Sequence, residues 1–130
     1  MLQTGIKGKE EILVTEKLTA DALGSGLLPV FGTPFMIALI ESTACQSVLP
    51  ELEDGQGTVG TKLEVEHLAA TPVGMMVYCE TELVEVDRKK LVFEAKVYDE
   101  TGLVGQGKHT RYIIDNVRFM EKALKKLSSS

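Results

Sequence analysis

From Thr33 to Leu49 the chain is apolar almost without pause, in a run too long for one buried strand. Thr33 followed by Pro34 is a start signal, a hydroxyl cap and then proline in the first helical turn, and Pro50 is the stop. The pattern predicts one long, very apolar helix over 33–49. After an acidic, glycine-containing turn at Glu51–Gly57 the period changes from 3.6 to 2. In GTKLEVEHL, Leu63, Val65 and His67 share one strand face, and Lys62, Glu64 and Glu66 the other.

Ala69–Gly74 reads as a turn or bulge around Pro72, Met75–Asp87 as a long strand, and Arg88-Lys89-Lys90 as a solvated hairpin turn. Leu91, Phe93, Ala95 and Val97 alternate with Glu94 and Lys96, and DETG at 99–102 is a hairpin signal before a last strand over 103–114. On that strand Gly105 and Gly107 share a face, a mark of close approach by another element. His109 and Arg111 lie on the same face and read as salt-bridge or rim positions. Upstream, 8–15 is a short strand and 22–31 a loop rich in Gly and Pro. Asp115 or Asn116 can cap a final helix striped by Val117, Met120, Leu124 and Leu127, and the terminal SSS is expected to fray.

This order predicts one α+β domain over 1–130, with no linker and no internal repeat. Its economical packing is an antiparallel sheet curled around one nearly all-apolar helix, the hotdog arrangement. The chain has 130 residues, 44% apolar and 25% charged, enough for a single core. A net charge of −5 argues against nucleic acid as a partner. Cys45 and Cys79 form no CxxC pair and read as reduced, buried residues. No basic-then-apolar leader and no apolar run of membrane-spanning length occurs, so a cytoplasmic protein without membrane association is expected. Two histidines without metal-ligand spacing predict no metal, and neither a G-x-S-x-G elbow nor a phosphate-binding glycine motif is present.

Within the apolar helix Glu41 stands out. At about 100° per residue, Ile37, Ala38, Ala44, Cys45 and Val48 fall within about 60° of it, and none is polar. A carboxylate on so dry a stripe is expected to serve as a base or nucleophile shielded from bulk water. His67, pointing toward the helix layer, is its expected partner. Thr33 caps the helix, at an end whose free N–H groups suit a developing oxyanion. Thr33 and Glu41 are separated by roughly 12 Å of helical rise, so a site using both is expected to combine two subunits of a two-fold dimer.

The stretches GTPFMIALIESTA, VGTKLEVEHLAATPVG and GLVGQGKHTRYII resemble the fluoroacetyl-CoA thioesterase-like family of the hotdog superfamily, in order and spacing from about Val30 to Phe119. The resemblance implies hydrolysis of an acyl-CoA thioester by Thr33, Glu41 and His67, in a homodimer or a higher homo-oligomer. No cofactor is implied, coenzyme A being part of the substrate. Gly60 is implied beside the site and Arg111 as a substrate-positioning residue. The family's aromatic lid corresponds to GSGLLPVF, where Leu28 and Phe31 are the expected acyl contacts and Phe31 is the only aromatic. That aliphatic segment predicts a short or medium acyl group rather than strict fluoroacetyl selectivity. The alternative is a hotdog module that binds an acyl ligand without turning it over. A hydratase is disfavoured because its Asp-x4-His pair is not seen.

Overall fold

A computed structural model describes residues 2–128; Met1 and the last two serines, where fraying is expected, lie outside the described residues. Strand β1 (Lys7–Leu13) leads to a short helix α1 (Ala20–Leu23) and the long helix α2 (Thr33–Val48). Strands β2 (Gln56–His67), β3 (Met76–Asp87), β4 (Lys90–Asp99) and β5 (Gly102–Asp115) follow, then helix α3 (Asn116–Ser128). The strands form one sheet in the order β1-β3-β4-β5-β2, antiparallel throughout, with β1 and β2 at its edges. This is the expected α+β hotdog layout.

α2 lies across the sheet, chiefly over β1 and β3. Its buried face carries Met36, Leu39, Ile40, Thr43, Ala44 and Val48, packed on Val77, Cys79, Leu83, Phe93, Ala95 and Val97. The expected alternation holds in β4, where Leu91, Phe93, Ala95 and Val97 are all buried. Gly105 does make room for the helix, since a Cβ there would lie 2.6 Å from Met36 Sδ. Gly107 makes room for a neighbouring strand instead: its Cβ would run into the backbone of β2 at Glu64 and Val65.

Several local expectations are corrected. The stretch from Ala22 was read as loop, but α1 runs into it. Ala22 N–H donates to Thr19 Oγ1 at 3.3 Å, and Gly24, in the left-handed region at φ 83°, ends the helix. Cys79 is buried as expected, and burial pushes its thiol pKa up to about 11, whereas Cys45 is only half-buried; both are free. α3 begins where expected, with Asp115 Oδ1 accepting from Arg118 N–H at 3.0 Å. Its apolar stripe of Val117, Met120, Leu124 and Leu127 is exposed. No helix among the described residues is long and apolar enough to cross a membrane.

β2 has one irregularity. Gly60 pairs with Arg111 and Lys62 with Thr110, so Thr61 is an extra residue with no opposite number. A bulge of this kind reverses which face the following residues occupy. Gly60 and His67 are an odd number of residues apart, yet both therefore face the helix layer. Filling the space above the sheet should be costly: Gly105→Val is expected to lose about 1–3 kcal/mol through overpacking against Met36, measurable by urea denaturation.

Candidate active site

The start of α2 and the end of β2 meet at one point. Thr33 Oγ1 lies 2.7 Å from His67 Nδ1. The cap of α2 is Gly32, whose extended backbone lets its carbonyl accept from Phe35 and Met36, so Thr33 is inside the first turn and not the cap expected from sequence. Its hydroxyl is thereby free for the histidine. Phe31 is buried and meets His67 edge-on, ring centroids 6.4 Å apart. His67 Nε2 is buried without a close hydrogen-bond partner among the described residues. Burial holds the His67 pKa below the ordinary histidine value, with the Ala69 backbone opposing it, so the ring is a neutral base at neutral pH. Ala20, Val30, Phe31, Thr33, His67, Ala69 and Ala70 contribute to the walls of a cleft of about 340 Å³ around this pair. Leu28 does not line it and is exposed.

A second polar group gathers at the other end of β2. A Cβ on Gly60 would lie 2.9 Å from His109 Cε1, 3.0 Å from Glu41 Oε2 and 3.2 Å from Arg111 Nη1. The bare glycine thus opens the space that these three side chains surround. Arg111 is buried and anchored twice on Thr58: Nε donates to Oγ1 at 2.8 Å and Nη2 to the carbonyl at 2.9 Å. His109 is fully buried, with Nδ1 2.9 Å from the Lys62 carbonyl and Nε2 3.1 Å from Arg111 Nη1.

Two expectations for Glu41 are corrected by this arrangement. Its stripe is dry on one flank only: Ala44 and Val48 are fully buried, but Ile37, Glu41 and Cys45 are half-buried and Ala38 is exposed, because the helix turns Met36, Ile40 and Thr43 to the sheet. Its neighbours within the chain are His109 and Arg111, and His67 bonds Thr33 instead. One chain therefore carries two separate polar groupings, Thr33–His67 with Phe31, and Glu41–Gly60–Arg111. His109 and Arg111, read from the sequence as salt-bridge or rim positions, are both buried instead, because their shared face of β5 turns toward the helix layer. No three His, Cys, Asp or Glu side chains among the described residues come together in a metal-binding group.

An antiparallel five-stranded sheet packed on one long helix is the hotdog layout shared with solved thioesterases. Residues 14–117 match the family model of FlK, fluoroacetyl-CoA-specific thioesterase, and the chain belongs to that family. It is a thioester hydrolase of the acyl-CoA thioesterase class. It is 36% identical over 97 residues to the fluoroacetyl-CoA thioesterase of Streptantibioticus cattleyicolor, covering 75% of this chain and 70% of that one. The structure of the fluoroacetyl-CoA thioesterase FlK superposes with a TM-score of 0.92 at 30% identity, over 97% of this chain and 98% of the other. A thioesterase superfamily member from Thermus thermophilus gives a TM-score of 0.88 at 25% identity, over 98% and 94% of the two chains.

Burial lowers the pKa of both His67 and His109, so between the folded and unfolded values the unfolded chain binds more protons. Stability contributed by the two neutral rings is full above the unfolded value and is lost as pH falls through the folded ones. Thermal melts are therefore expected to show Tm falling between about pH 7 and pH 5, and falling less when both histidines are replaced by glutamine.

Proposed function

We propose that this chain hydrolyses short to medium acyl-CoA thioesters at sites shared between the two subunits of a homodimer. The observation that carries the reading is the separation of the two polar groupings. Gly60 and His67 are seven residues apart on one strand, roughly 23 Å, so Glu41 cannot serve the Thr33–His67 pair of its own chain. β2 is an edge strand whose outer side is unpaired among the described residues. Antiparallel pairing of two β2 edges about a two-fold axis near Leu63 would set the Gly60 end of one chain against the His67 end of the other.

In such a site Thr33–His67 of one subunit faces Glu41, Gly60 and Arg111 of its partner. Glu41 attacks the thioester carbonyl or activates the attacking water, and His67 works with the Thr33 hydroxyl in proton transfer. Backbone N–H groups at the start of α2 or near Gly60 hold the oxyanion, and the Arg111 charge lies close by. Phe31 closes the inner wall of the cleft, whose other walls are largely small residues, and this favours a small acyl group. Leu27 and Leu28, in the segment before α2, are exposed and aliphatic, which supports a range of short acyl groups over fluoroacetyl alone.

Thiol release from a panel of acyl-CoAs tests the activity. Thr33→Ala, His67→Ala and Glu41→Ala are each expected to lower kcat/KM by about 100-fold or more, and wild type that binds the esters but frees no thiol would show a binding module instead. A mixing experiment tests the shared site. His67→Ala and Glu41→Ala homodimers, unfolded together and refolded, are expected to regain about a quarter of wild-type activity, since each hybrid has one intact site. No recovery, or a fully active monomer by light scattering, would place the site within one chain.

A further inference from the structure

His109 has no role in the reaction as drawn, yet it is fully buried at the point where Arg111 and Glu41 come closest to Gly60. Its bonding partners determine its protonation. Nδ1 faces the Lys62 carbonyl, which only accepts, so Nδ1 carries the proton. Nε2 faces Arg111 Nη1, which only donates, so Nε2 is bare and accepts. The ring is neutral, with its hydrogen on Nδ1, and burial together with the Arg111 charge disfavours a second proton.

The consequence falls on Arg111. Three of its nitrogens are engaged, Nε and Nη2 on Thr58 and Nη1 on His109. Among the described residues the Glu41 carboxylate accepts no hydrogen bond and forms no ion pair, although Oε2 and Nη1 flank the same glycine. An unrestrained guanidinium beside a carboxylate forms a bidentate pair, which would occupy the lone pairs that a base or nucleophile needs.

We propose that His109 is a positioning residue that tethers Arg111 through its bare Nε2, so that the guanidinium charge stands beside the reaction centre while the Glu41 carboxylate remains unpaired. The groups around the ring are few. Glu41 approaches from α2, Arg111 from β5, the Lys62 carbonyl from β2 and the Phe93 ring from β4 at 6.5 Å. The Lys62 ammonium is turned outward onto Glu64 at 2.7 Å and does not compete.

The role of His109 in catalysis rests on the thioesterase reading above; its tautomer does not, and the test separates the two. In 15N spectra of histidine-labelled protein near neutral pH, with His109 identified by its loss in His109→Gln, Nδ1 is expected protonated and Nε2 bare. A proton on Nε2, or an imidazolium, would overturn the proposal whether or not any thioester is hydrolysed. In kinetics, His109→Leu releases Arg111 onto Glu41, so kcat is expected to fall about 10- to 100-fold with KM little changed. His109→Gln, which retains an oxygen able to accept from Nη1, should keep kcat within about 10-fold of wild type, again with KM little changed. A folded His109→Leu with wild-type kcat would sink the idea; if that variant does not fold, a folded His109→Gln whose kcat falls by about 100-fold does the same.

Discussion

One extra residue in an edge strand decides which side chains of β2 face the helix layer. Side chains along a strand alternate, so residues seven apart belong to opposite faces of the sheet. The bulge at Thr61 cancels that parity and turns both Gly60 and His67 toward the helix layer. Without it, Gly60 would face away from the helix layer and another side chain would fill the space between Glu41 and Arg111. The Thr58 hydroxyl and carbonyl, on the Gly60 side of the same bulge, hold Arg111 in place. The inner surface of β2 thus carries polar groups at both ends, with Leu63 and Val65 between them.

The two groups differ in how they are held. Thr33 and His67 sit at the ends of their elements, half-open to the cleft, and bond each other directly. Around Glu41 the anchoring is indirect: Thr58 and His109 hold Arg111, the Lys62 carbonyl holds His109, and the carboxylate itself is left out of the network. All three guanidinium nitrogens of Arg111 are tethered, and a charge so held keeps its position without pairing to the nearest anion. The rigidity comes from β2 and β5, so the charge environment of α2's one carboxylate is set by the sheet.

The fold was legible because its signals are local and strong: a Thr-Pro start, a long apolar run, and period-2 alternation between marked turns. Glu41, His67 and Thr33 were legible as unusual residues, and so was the roughly 12 Å that separates the first from the last. The partners were not. A helical wheel averages over the helix and cannot say which flank meets the sheet, so Glu41 was placed on the driest stripe when it lies at the border of the buried face. Thr33 was read as a cap because capping residues and first-turn residues share the same composition; the extended Gly32 before it takes that role. A bulge leaves no trace in hydrophobic pattern, and the grouping of Gly60, His109 and Arg111 depends on one.

The segment between α1 and α2 has a consequence of its own. Residues 24–29 are all exposed, and Ser25 and Val30 still border the cleft at Thr33 and His67. The segment that borders the cleft is thus a part of the chain that contributes little to the core. Substitutions there cost little folding free energy, whereas changes at Arg111, His109 or Phe31 disturb buried packing. Such a division separates the tolerance of the rim from the rigidity of the frame: the cleft's outer border can be rebuilt without unfolding what holds it.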